Sequence, residues 1–127
     1  MKTLSVLLGL AIAAAAPIAA SAAEPATRTC FSTREWKGWS APEPDMLYLR
    51  VGTKDIYRVG LREGSPRIDK MGTFIVSQVR GSSQICTPLD LDLTLQDHTG
   101  FRGALIATSL TKLTPAEAAA IPLRHRP

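Results

Sequence analysis

Aromatic residues make up only 6% of this 127-residue chain, and cysteine, histidine and tryptophan each occur twice. Each scarcity removes a class of function. Two cysteines and the distant His98 and His125 cannot supply the closely spaced ligands of a structural zinc site. No Cys-x-x-Cys pair is present, which excludes a thioredoxin-like redox centre. No G-x-S-x-G elbow marks a hydrolase nucleophile. The stretch RVGLREG (58–64) has the wrong spacing for either the Walker loop or the dinucleotide fingerprint. The net charge of +4 is too small to argue for a nucleic-acid partner. Internal repeats are absent as well.

What is present begins with an N-terminal leader. Met1 and Lys2 precede the uncharged run LSVLLGLAIAAAA (4–16), and PIAASAA (17–23) offers small-x-small cleavage sites after Ala22 or Ala23. The run is shorter than the roughly 20 apolar residues of a membrane-spanning helix. Residues 1–23 are therefore expected to be a cleaved signal peptide, leaving an exported periplasmic protein with no transmembrane anchor. Loss of Lys2 lowers the net charge to about +3. About 104 residues remain, enough for one domain with a modest core. Residues 24–29 read as a mobile lead-in, 30–122 as a single β-rich domain and 123–127 as a basic tail.

Cys30 and Cys86 both fall in the mature part. Export to an oxidising compartment and an even count predict a disulfide between them. It would close a loop of about 57 residues, worth about 4 kcal/mol by chain entropy.

Hydrophobic periodicity sets the fold class. Residues 30–45 have no clean period and end in Pro42 and Pro44, so a turn or short helix followed by an extended loop is expected. In DMLYLRVGTKDIYRVGL (45–61), Leu47, Leu49 and Val51 alternate with polar residues, as do Tyr57, Val59 and Leu61 beyond a Gly-containing turn. That pattern predicts a β-hairpin. TFIVSQV (73–79) reads as a third strand, buried on both faces near Phe74 to Val76. FRGALIATSLTKL (101–113) reads as another strand or a pair of short ones. Thr114, Pro115 and Glu117 form a capping box that starts a short helix, ended by Pro122. The fold expected is mainly β, with five or six antiparallel strands in a curled sheet, barrel or sandwich and one short C-terminal helix.

Three groups are candidates for chemistry. In CTPLDLDLTLQD (86–97) strict alternation predicts a half-buried strand. Asp90 and Asp92 would then share one face and could hold a cation or act as an acid–base pair, but charges on a solvated strand face are the favoured explanation. His98 beside Asp97 resembles a catalytic pair, with Ser77, Ser82, Ser83 or Ser109 as conceivable nucleophiles, but adjacent turn residues seldom point the same way. A solvated turn histidine is favoured there, and an exposed His125 in the tail. Trp36 and Trp39, three apart, would lie on one face of a helical turn and could stack on a sugar or peptide; a core lid over the sheet is the commoner use. Arg58, Arg62, Arg67, Lys70 and Arg80 tilt the middle of the chain basic, suited to solubility or to anionic envelope surfaces.

The segments CFSTREWKGW, LYLRV, YRVGL, RGSSQICTPLDLDL and GFRGALIATSLTKLTPAEAAAIP resemble, in that order, an uncharacterised family of small exported proteins of Gram-negative bacteria, a domain of unknown function. The resemblance runs from Cys30 to about Pro122. It implies four cysteines in a typical member, two matching Cys30 and Cys86 and two falling near Ser65 and Leu105. Their joint loss here implies that those two normally pair, so that Ser65 and Leu105 lie close together. No activity comes with the resemblance.

The expectation is a non-enzymatic exported β domain, without a cofactor, acting by surface contact with an envelope protein or surface. A small-ligand or glycan-binding module built on Trp36 and Trp39 is the alternative. A metal-dependent or hydrolytic enzyme using Asp90, Asp92 or His98 comes third.

Overall fold

The computed structural model describes residues 30–127. The expected signal peptide (1–23) and lead-in (24–29) lie outside the described residues. The chain is mainly β. Strand β1 (Phe31–Ser32) is followed by a 3-10 turn over Thr33–Glu35 and by β2 (Trp36–Glu43). Next come β3 (Met46–Val51), β4 (Asp55–Leu61), β5 (Thr73–Gln78) and β6 (Gln84–Ile85). After a second 3-10 turn at Pro88–Asp90 come β7 (Asp92–Asp97), β8 (Arg102–Lys112) and helix α1 (Pro115–Ala120). A last 3-10 turn occupies Leu123–His125.

Six strands form one antiparallel sheet in the order β2-β3-β4-β8-β7-β5, while β1 and β6 form a separate two-stranded ribbon. The sheet curls upon itself. Trp39 to Ala41 of β2 line a cleft with the loop that leads into β5, so β2 comes round beside the start of β5 across a seam. Inside the curl lie Leu47 and Leu49 of β3, Val59 of β4, Leu93 and Leu95 of β7 and Leu105 of β8. Their strict alternation is the one visible in the sequence.

Three register shifts interrupt that alternation, two in β2 and one in β8. In β2, Trp36 pairs with Val51 and Trp39 with Leu49, with one extra residue between them. Both tryptophans therefore lie on the core side, by a strand bulge and not by a helical turn. Within 30–45, where an extended loop is expected after a turn, Trp36–Glu43 is an edge strand, a position that tolerates Pro42. In β8 the register slips between Gly60 and Leu61 of the partner strand. The Ser109 hydroxyl accepts from the Gly60 N–H at 3.0 Å, and the Thr108 hydroxyl donates to the Gly60 carbonyl at 3.2 Å. A Cβ on Gly60 would stand 2.5 Å from that Ser109 oxygen. The bulge returns Leu110 to the core side after Ala107, so 102–112 is one long strand.

Three further expectations change. Strand β5 lies at a sheet edge with β7 as its one partner, and it is not buried on both faces: Phe74 is exposed while Ile75 and Val76 are half-buried. Leu89 belongs to the 3-10 turn and is 93% exposed, which ends the alternating strand at Asp92. The basic tail is docked: the Ser40 hydroxyl donates to the His125 carbonyl, and Arg126 donates to the carbonyls of Ile121 and Ala119. His125 is accordingly half-buried, not exposed.

The loop 62–72 supplies one core residue that no period announces. Ile68 is 1% exposed and closes the inside of the curl. Its loop is pinned at Gly64, whose φ of +59° and whose closeness to Pro44 leave no room for a Cβ. Ser65 N–H donates to the Pro44 carbonyl there.

Candidate functional site

Asp90 and Asp92 do not share a strand face. Asp90 ends the 3-10 turn and folds back on its own approach: Oδ2 accepts from Cys86 N–H at 2.9 Å, Thr87 N–H at 2.8 Å and the Thr87 hydroxyl at 3.1 Å. These bonds, the Cys86 amide foremost, hold its carboxyl below the ordinary carboxylate value. Asp92 starts β7 and pairs with Arg80. Among the described residues, no three histidine, cysteine, aspartate or glutamate side chains cluster as metal ligands would.

Asp97 and His98 are likewise separated in purpose. Asp97 Oδ1 accepts from Thr99 N–H, the Thr99 hydroxyl and Phe101 N–H, while Oδ2 faces Arg67 at 3.5 Å. The Thr99 hydroxyl is the largest reason its carboxyl titrates low. His98 instead lies against Phe74, ring centroids 5.7 Å apart. Ser77 pairs with Leu93 while Thr73 pairs with Asp97, so Ser77 is about 13 Å along the strand from that turn. Its hydroxyl is buried without a hydrogen-bond partner among the described residues. Ser82 accepts from Gln84 N–H, and Ser109 is committed to its bulge. Asp90, Asp97 and Ser82 are thus engaged by the turns that carry them, Asp92 by Arg80 and Ser109 by its bulge.

Cys30 and Cys86 are joined in a disulfide, with Cα atoms 4.2 Å apart. It ties the ends of the β1–β6 ribbon, whose Phe31 ring lies 4.7 Å from that of Tyr57. Trp36 and Trp39 are half-buried against the core, and the Trp36 indole N–H donates to the Gly38 carbonyl at 2.8 Å. Trp39 also reaches the seam. There a cleft of about 450 Å³ lies between β2, the 68–73 segment and the C-terminal turn. A second cleft of about 390 Å³ lies across the same segment, beside Arg67 and His98. Lys70 and Met71 line both.

The outer edges of the sheet differ. β2 carries two register shifts, Pro42 and the docked tail. β5, reading TFIVSQ, has no charge and no proline, and pairs with β7 without a shift. Phe74 on it is 38% exposed, and the fully exposed Met71 precedes it. Sequence reasoning missed this edge because β-branched and aromatic content looks the same in an edge strand as in a buried one. It missed the seam because that depends on curvature. No protein-family model, no curated protein and no solved structure matches the chain.

Proposed function

We propose that this chain is an exported, non-enzymatic β domain that works in the periplasm by surface contact with an envelope protein, docking through β5. The observation that carries this reading is the bare edge. An exposed strand normally bears a lysine, proline or bulge that discourages pairing, and β5 has none of them. An extended segment of a partner adds to such an edge through main-chain hydrogen bonds, with Phe74 and Val76 offering side-chain specificity on the outer face. The disulfide supports export, since such bonds persist in oxidising compartments. The commitment of Asp90, Asp92 and Asp97 to neighbouring donors supports a role without catalysis.

Kinship with the exported family of unknown function belongs to the same proposal. Arg62 N–H donates to the Ile106 carbonyl at 2.9 Å, and Glu63 and Gly64 line a small cleft with Leu105. That supports Ser65 and Leu105 as neighbours, as the resemblance implies.

The test is site-specific photo-crosslinking in cells. A crosslinking side chain at Gln78 is expected to trap one discrete envelope protein, whereas the same group at Arg58, on the outside of β4, traps none. Phe74→Lys with Val76→Lys should remove the adduct and leave the protein folded. Equal trapping from both positions, or from neither, would sink the edge-docking reading.

A further inference from the structure

The cleft at the seam combines features that select a ligand. Its floor is made by the half-buried Trp39 and the buried Ile68, and its rim carries the fully exposed Met71. Lys70 approaches from the loop and Arg124 from the C-terminal turn, two cations on separate elements at one opening. Among the described residues neither forms an ion pair, whereas Arg67, Arg80 and Lys112 are each matched by an aspartate. Arg124 Nε donates to His125 Nε2 at 2.9 Å, which fixes the guanidinium at the rim. Asp69 is the single acid lining this cleft, so the lining carries a net positive charge. The volume of about 450 Å³ lies in the range of small-molecule sites.

We propose that this cleft binds a small anionic amphiphile, an acyl or aryl body bearing one carboxylate, sulfate or phosphate head. The head sits between Lys70 and Arg124, where two charge-assisted contacts select an anion. The body lies on Trp39 and against Met71, whose flexible thioether adapts to irregular apolar shapes. Other occupants fit less well. A peptide strand gains less here, because β2 carries two register shifts and Pro42. A cation meets the wrong sign of charge. This site spans the seam from β2 to Thr73 at the start of β5, whereas the β5 docking reading rests on Phe74 and Val76, which do not line it, so failure of one leaves the other standing.

Laurate below its micelle concentration is the first probe, titrated into the purified protein and followed by calorimetry and tryptophan emission. Saturable binding is expected, with dodecyltrimethylammonium and inorganic phosphate each binding at least about tenfold more weakly, a difference of about 1.4 kcal/mol. Lys70→Gln with Arg124→Gln should weaken laurate binding by about tenfold or more, while Arg58→Gln leaves it unchanged. Lys70→Gln alone, in an exposed loop, keeps the test valid if the double variant is unstable. Absence of laurate binding, equal binding of the cationic amphiphile or of phosphate, or indifference to Lys70 would each overturn the proposal. Sedimentation with phosphatidylglycerol vesicles is the second arm. Capture by vesicles without binding of free laurate would replace the small-ligand site with a membrane-facing surface.

Discussion

Asp90 gathers three donors from Cys86 and Thr87 on one oxygen, and Asp97 does the same for Thr99 and Phe101 on another. Both carboxyls are held below their ordinary value of 3.8 in the fold, Asp90 chiefly by the Cys86 amide and Asp97 chiefly by the Thr99 hydroxyl. A depressed folded pKa means that the unfolded chain takes up the proton first. The stability these groups contribute is complete above the ordinary value and is lost as pH falls through the folded one. Asp90→Asn should therefore lower the melting temperature by a few degrees at neutral pH, with a smaller further drop on acidification than the parent shows. Melting curves between about pH 5 and about pH 2.5 check this. Parallel acid slopes for parent and variant would show that the ionised form of Asp90 contributes nothing.

Among the elements, the loop 62–72 behaves like part of the core because of one side chain. Ile68→Ala is expected to cost about 2–4 kcal/mol in urea unfolding, the range for a large apolar residue removed from a packed interior. A cost well under about 1 kcal/mol would mean that the loop merely rests on the sheet. Nothing around Ile68 in REGSPRIDKMG marks it as buried, since an isolated apolar residue in a polar segment has no period. The β3–β4 hairpin was legible because Leu47 to Val51 and Tyr57 to Leu61 each face the core on alternate residues, with a turn at Gly52 between them. Helix α1 was legible for a local reason too: Thr114 and Glu117 cap each other through side chain and backbone. β2 and β8 were harder, since bulges shift the period and hide continuity. The strand expected to run through Asp90 failed for the opposite reason. Leu89 continues an apolar period that the backbone has already abandoned for a 3-10 turn, with Asp90 needed as its cap. No local pattern reports the seam, which exists only once β2 has been brought round beside the start of β5.

For the molecule as a whole, Cys30–Cys86 is the largest single constraint on the unfolded chain, joining positions 56 apart in sequence. Cys30→Ser with Cys86→Ser, or reduction, is expected to remove up to about 4 kcal/mol and lower the melting temperature by more than about 10 °C. Calorimetry with and without reductant measures this, and two titratable thiols in the untreated native protein would contradict the bond. The central place of β8 has a different kind of consequence. It is the last strand in sequence, yet it sits between β4 and β7 and joins the two flanks of the sheet. The β2-β3-β4 flank and the β5-β7 flank each pair within themselves, and β8 alone joins one to the other. Among the described strands, the β4–β8 ladder joins partners about fifty positions apart, so closing the sheet waits on a contact between distant parts of the chain, the kind that sets a slow folding rate.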